Sequence, residues 1–285
     1  NKLAKSKPSE VIHLRAPNME PIFFSHQNKK NVKWISESNG KIAKNKLISE
    51  LKKNNPVFLQ TDLYYLKYYN SKSHFPGHVV VCVGYNTEHD SFYLSDTNFK
   101  ELQIVSSNDL SLARSSKAEP YPLSYNWFSV KSFKPFKNLK KQLEISVKLN
   151  SENFINGQNS LRGTSSIFSI LDWIGNFDKW SDYKDSANIF KFAYQIIVKR
   201  GSKGSGFRCI YSDFLKLAQD ESKKIYDLKL YSKMSNISDI WKDIGYGLKN
   251  LSKNYKKNDM KSVLNNIKNV YIEELEYHMF IKDNL

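Results

Sequence analysis

His78-Val79-Val80-Val81-Cys82-Val83-Gly84-Tyr85, a polar turn from Asn86 to Asp90, and Ser91-Phe92-Tyr93-Leu94-Ser95-Asp96 decide how the first part of this chain folds. An apolar β-branched run, a turn and a second alternating run form the pattern of two antiparallel strands joined as a hairpin. Folding the second strand back on the first brings Asp96 within a residue or two of His78, which stands at the mouth of the first strand. A histidine oriented by a carboxylate is part of a nucleophilic triad, because the carboxylate fixes the tautomer and stabilises the imidazolium formed during proton transfer.

Cys82 and Cys209 are the only cysteines, and neither suits the missing nucleophile. Cys82 lies four residues from His78 on the same strand face, roughly 13 Å away at about 3.3 Å per residue, which is beyond hydrogen-bond reach. It is expected in the core. Cys209 opens an apolar helical pattern, where a free cysteine most often serves as a small buried hydrophobe. Two widely spaced cysteines give neither a disulfide framework nor metal-ligand spacing, the usage expected in a reducing cytoplasm. His74 and His78 are not read as metal ligands, since Pro76-Gly77 between them rules out the helix that would align them.

Helical spacing of Ile42, Leu47, Ile48 and Leu51 predicts a helix over residues 40–54, ended by Asn54-Asn55-Pro56 before a strand at Val57–Leu59. A strand at Leu102–Val105, a helix at Asn108–Arg114 capped by Ser107 or Asn108, and a last strand near Trp127–Val130 complete the first part. Pro120, Pro122 and Pro135 mark an extended connector. From Ser151 onward helical periodicity takes over, with helices expected at Ser165–Phe177, Ser186–Lys199, Phe207–Lys223, Ile237–Leu251 and Met260–Phe280. The expected class is α+β: an antiparallel-sheet domain over residues 1–135, and an all-α domain over residues 150–285.

The formal charge is +16, carried almost wholly by dispersed lysines. Dispersed charge is usually a solvated surface, and no basic arm with interleaved aromatics points to nucleic acid. No run approaches the twenty apolar residues of a membrane span, and no signal peptide is visible.

Pro56-Val57-Phe58-Leu59-Gln60-Thr61-Asp62-Leu63-Tyr64-Tyr65-Leu66, the His74–Tyr85 segment, Ser95-Asp96 and Leu112-Ala113-Arg114 resemble the N-terminal domain of the butirosin-biosynthesis acyltransferase family. Gly201-Ser202-Lys203-Gly204-Ser205-Gly206-Phe207-Arg208, then Tyr211 and Phe214-Leu215, resemble the signature of the helical, DUF4872-like domain that usually follows it. The resemblance implies a papain-like, cysteine-peptidase-like fold in which His78 and Asp96 match two triad positions. Its nucleophilic cysteine lies on an early helix upstream of a Ser-Glu dipeptide that Ser9-Glu10 matches, ahead of Asn1. It also implies a donor thioester on an acidic acyl or peptidyl carrier protein, carried by that protein's phosphopantetheine arm, and a small-molecule amine acceptor. No further cofactor, metal, nucleic acid or membrane is expected.

A basic face would speed encounter with an acidic carrier. Lys137, Lys140, Lys141 and Lys148, or Lys249, Lys253, Lys256 and Lys257, are the patches in question. Asp62 and Tyr64 share one strand face, with Gln60 on the same face, and leading toward the His74 loop they are candidates to line the acceptor pocket, with His74 a candidate substrate contact; a satisfied structural Asp62 and a turn-stabilising His74 are the alternatives. The glycine-rich loop ending at Arg208 resembles an anion site at a helix start, or else is a helix connection in which Arg208 pairs a carboxylate of the first domain. Arg114 is expected to hold the two domains together. The same residues would serve a cysteine peptidase or amidase, or a non-catalytic module that only docks carriers.

Overall fold

A computed structural model of the chain describes residues 19–28, 31–119, 121–131, 136–157, 166–199 and 201–285. It divides into a sheet unit within Asn18–Pro135 and a helical unit that includes Phe136–Leu285. Ser9-Glu10, Pro120, Pro135 and Ser165 lie outside the described residues.

The sheet unit opens with helices α1 (Met19–Asn28) and α2 (Gly40–Lys52), followed by strands β1 (Val57–Thr61), β2 (His78–Asn86), β3 (Ser91–Ser95) and β4 (Gln103–Ser106). Helix α3 (Ser107–Ser115) and strand β5 (Trp127–Ser129) complete it. The five strands pair antiparallel in the order β4-β3-β2-β1-β5. Alternation places Leu59, Val80, Cys82, Leu94 and Val105 on one sheet face, where they pack with Leu47 of α2 and Leu110 and Ala113 of α3. On the other face Phe58 and Phe128 stack with centroids 4.7 Å apart, and Phe24 of α1 meets Phe58 at 5.2 Å.

Asn39 starts α2 by accepting from the amides of Lys41 and Ile42, so the helix begins one turn before its first apolar residue packs. Ser106, not Ser107 or Asn108, caps α3, its Oγ accepting from the Asp109 amide. Arg114 is buried within this unit. It donates to the Tyr125 carbonyl and lies over the Tyr125 ring, and burial pushes its guanidinium down to about 10. The partners named here all belong to the sheet unit.

In the helical unit, α4 (Leu139–Asn156), α5 (Ile167–Asn176), α6 (Ser186–Tyr194), α7 (Arg208–Glu221), α8 (Lys223–Asp227), α9 (Leu230–Lys253) and α10 (Lys257–Asn284) follow in order. α4 starts well before Ser151, because Asn138 caps it through the Lys141 amide. Trp173, Trp180, Phe177 and Phe190 form an aromatic cluster, and Trp241, Ile244 and Leu248 of α9 share its core with Val263, Ile267 and Val270 of α10. Gly247 allows this closeness, since a Cβ there would meet a methyl of Val263 at 2.5 Å, and Gly245 does the same for Val198.

One buried histidine makes this core acid-sensitive. His278 hydrogen-bonds through Nδ1 to Ser151 Oγ at 2.9 Å. Burial, assisted by Arg208 and opposed by Glu274, pushes its pKa down to about 4. An unfolded histidine titrates near 6.5, so between these two values the unfolded chain binds the extra proton. Stability of the helical unit should therefore fall as pH drops from about 6.5 to about 4, by about 3 kcal/mol in all. Urea midpoints compared with those of His278→Asn, whose side-chain amide can keep the contact to Ser151, check this: the difference between the two proteins should change across that window and be flat above it.

Candidate active site

The sheet's hydrogen bonding delivers three chain segments to one end. Thr61, the last residue of β1, pairs with His78, the first of β2. Ser95, the last of β3, pairs with Val81, with a bulge between Cys82 and Gly84. Asp62 and Asp96 thus follow two strand ends directly, beside the start of β2.

His78 donates from Nε2 to Asp96 Oδ2 at 2.8 Å, with the carboxylate wholly buried and the imidazole 13% exposed. Tyr68 donates to the same Oδ2 and Tyr69 to Oδ1, both at 2.9 Å. Asn98 donates to the Tyr69 hydroxyl at 3.1 Å, and Phe99 meets both tyrosine rings edge-on. Burial pushes the Asp96 carboxyl up, but His78 and the two phenols outweigh it and hold it below the usual carboxylate range. Burial, with the same carboxylate, raises both phenols far above their ordinary value, so both stay protonated donors. An ionised Asp96 keeps the proton on Nε2 of His78. Nδ1 is then the basic nitrogen, and any group His78 deprotonates must approach on that side.

A second histidine–aspartate pair stands four residues earlier. His74 Nδ1 lies 2.7 Å from Asp62 Oδ2, with the carboxylate wholly buried and the imidazole 43% exposed. Ser116 Oγ donates to Asp62 Oδ2 at 2.6 Å, and the amides of Phe75 and Tyr64 donate to Oδ1. Burial opposes ionisation of Asp62, yet these donors hold its carboxyl below the usual range. Tyr64 lies against the His74 ring at 4.2 Å and Tyr65 at 5.7 Å.

The strand reading of Asp62 and Tyr64 is corrected: β1 stops at Thr61, because the Asp62 side chain caps a 3-10 turn over Leu63–Tyr65. The two do not share a strand face, and Tyr64 is exposed where Asp62 is buried. His74 and Tyr64 are nonetheless brought together, on Asp62. Gln60 is occupied by Asn126, which donates to its Oε1 at 2.6 Å.

Arg208 is placed otherwise. In the helical unit its Nε and Nη2 donate to the two oxygens of the wholly buried Glu274 at 2.6 and 2.8 Å, and Nη1 donates to the Gly206 carbonyl. Its guanidinium also faces the Trp241 and Phe154 rings. Its carboxylate partner belongs to its own unit rather than the first domain, and the guanidinium's bidentate face is spent on it. The loop before it is a helix connection: Gly206 N bonds Ile197 O, Phe207 N bonds Ser202 O, Arg208 N bonds Ser205 O and Cys209 N bonds Ser205 Oγ. Amides used this way do not form an anion cradle.

Cys82 is buried, and burial pushes its thiol up to about 12. Tyr68, Tyr69 and Asn98 are the participants that sequence reasoning did not single out. The paired tyrosines Tyr64-Tyr65 and Tyr68-Tyr69, between Asp62 and the histidines, were the available signal. Among the described residues, no group of three or more histidine, cysteine or acidic side chains is placed to hold a metal ion, and no helix is long and apolar enough to cross a membrane.

Comparison with known families adds to this geometry. Residues 108–280, more than half of the sequence, match the family described as domain of unknown function DUF4872. The chain belongs to that family. Residues 2–97 match the family described as butirosin biosynthesis protein H, N-terminal, so the two matches stand in the order the motifs suggested. The match over residues 2–97 contains both histidine–aspartate pairs. A search of curated proteins finds no match.

Proposed function

We propose that the protein is a cysteine-dependent acyltransferase of papain-like type, moving an acyl or aminoacyl group from a carrier-protein thioester to an amine in natural-product biosynthesis. The observation that carries this reading is the His78–Asp96 pair, whose Nε2 is fixed by a carboxylate that three donors hold ionised. The family match over residues 2–97 supports it.

Nδ1 of His78 takes the proton of a nucleophilic thiol other than Cys82 and Cys209. The thiolate attacks the donor's thioester carbonyl, and the carrier's phosphopantetheine thiol leaves with the proton that His78 returns. An amine then attacks the enzyme-bound thioester, giving its proton to His78, which passes it to the departing enzyme thiolate. Asp96 stays ionised and stabilises the imidazolium in both halves. Asp62, Tyr64 and His74 belong to the acceptor side of this reading.

The experiment is brief iodoacetamide treatment of the full-length natural protein with peptide mapping. One cysteine other than Cys82 and Cys209 should alkylate rapidly near neutral pH, and His78→Ala should slow it roughly tenfold or more, because the thiolate fraction falls when its imidazolium partner is lost. Absence of any rapidly reacting cysteine, or a rate indifferent to His78, would sink the nucleophile and leave a module that docks carriers. Free acid as the sole acyl product would make the protein a hydrolase.

An acidic carrier also implies a salt effect. Lys253, Lys256 and Lys257 are exposed around the turn between α9 and α10. If such lysines steer a carrier, the apparent KM for carrier-bound donor should rise severalfold between about 0.05 and 0.3 M salt while kcat holds. A KM flat across that range would remove electrostatic docking.

A further inference from the structure

We propose that His74, held by Asp62, is a second proton acceptor, taking from a primary ammonium substrate the proton that must leave before the amine can attack. This rests on the acyl-transfer reading above. The proton count leaves one proton for such a group to take. A thioester and an ammonium become an amide, a free thiol and one released proton. In the cycle above His78 takes the thiol proton and gives it to the departing donor, then takes a proton from the attacking amine and gives it to the departing enzyme thiolate. That cycle closes on itself. The first proton of the ammonium lies outside that cycle and has to reach solvent, directly or through a base at the site.

The His74 pair has the features this task needs. Asp62 accepts from Nδ1, so the basic nitrogen of His74 is Nε2, whereas in His78 the basic nitrogen is Nδ1. His74 is 43% exposed and His78 13%, which matches one group that exports a proton and one that recycles it. Asp62 is anchored by Ser116 and two backbone amides, so the imidazolium formed at His74 is stabilised by a carboxylate that does not move. Tyr64 is 45% exposed and its ring lies 4.2 Å from that of His74, so an ammonium that reaches this histidine meets an aromatic ring, which attracts cations. Both pairs sit at one end of the sheet, since Thr61 pairs with His78 and Asp62 follows it. Four residues separate the histidines, so their Cα atoms lie no more than about 14 Å apart. In this proposal a thioester at His78 and an amine arriving past His74 share one approach.

The test is the partition between amide and free acid. The full-length protein is given an acyl N-acetylcysteamine thioester with ethanolamine, which is protonated at pH 7, and acid, amide and thiol are measured together. In His74→Asn the side-chain amide stands where Nδ1 stood and keeps the bond to Asp62, while Nε2 is removed. At pH 7 the variant should shift its products roughly 10²-fold towards free acid. Raising the pH until ethanolamine is largely neutral should restore the amide, and added imidazole should restore it in His74→Ala. A purely structural His74 predicts that the partition and its pH dependence match the wild type, and that result overturns the proposal. Wild-type protein that makes acid but no amide overturns it as well, because an ammonium is then not the acceptor. Wild-type protein that releases no thiol removes the acyl-transfer reading itself, and this inference with it.

Discussion

Replacing His78 by alanine is expected to lower acyl transfer by roughly 10²–10⁴-fold, the range that a positioned general base supplies. Loss should appear in kcat more than in KM, because the imidazole serves proton transfer and not donor binding. Asp96→Asn is expected to cost a comparable factor by a different route. An ionised Asp96 accepts the Nε2 proton and leaves Nδ1 basic; an asparagine amide turned to donate to Nε2 would move the ring proton to Nδ1 and abolish the base on the reacting side. Tyr68 and Tyr69 bear on the same point, since their hydroxyls bind one to each oxygen of the carboxylate and hold its plane. Tyr69→Phe should cost less than Asp96→Asn, because two donors to the carboxylate remain. Steady-state kinetics of the three variants with one thioester donor checks the order, and activity of His78→Ala within a few-fold of wild type would overturn the assignment.

The pairing of His78 with Asp96 was legible in the sequence because strand register is a local property: two alternating runs and a turn of known length leave little choice of partner. The bulge between Cys82 and Gly84 shifts that register without separating the pair. The path of the chain beyond β1 was not legible. Alternation carried through Thr61 would place Asp62 and Tyr64 on one face, but an aspartate whose side chain captures the amide two residues on breaks the strand there. Asp62, His74 and Ser116 meet only through tertiary structure, with Asp62 and Ser116 fifty-four residues apart, and no spacing rule reports that. The Tyr68 and Tyr69 hydroxyls fall in the same class. The start of α4 was missed because its first turns are lysine-rich and mostly exposed, so little apolar periodicity marks them before Val147.

Arg208 shows how a motif can be conspicuous for reasons of packing, and its replacement carries the second large effect. Three glycines and an arginine before a helix invite an anion, yet Gly201, Gly204 and Gly206 have φ of +68°, +93° and +58° and let the chain turn from Lys199 into α7. The arginine then reaches Glu274 on α10, which also accepts from Trp241 Nε1 of α9. Three helices are tied at one buried carboxylate. Arg208→Met removes the only cation bonded to Glu274 among the described contacts and leaves its charge in the core, which should cost about 3–5 kcal/mol. The double variant Arg208→Met/Glu274→Leu removes both charges and should be much less destabilised than the sum of the single changes, although Trp241 then loses its acceptor. Urea unfolding followed by tryptophan fluorescence, in which Trp173, Trp180 and Trp241 report the helical unit, gives these values. A midpoint unchanged in Arg208→Met together with lost donor binding would reverse the reading and return Arg208 to the substrate.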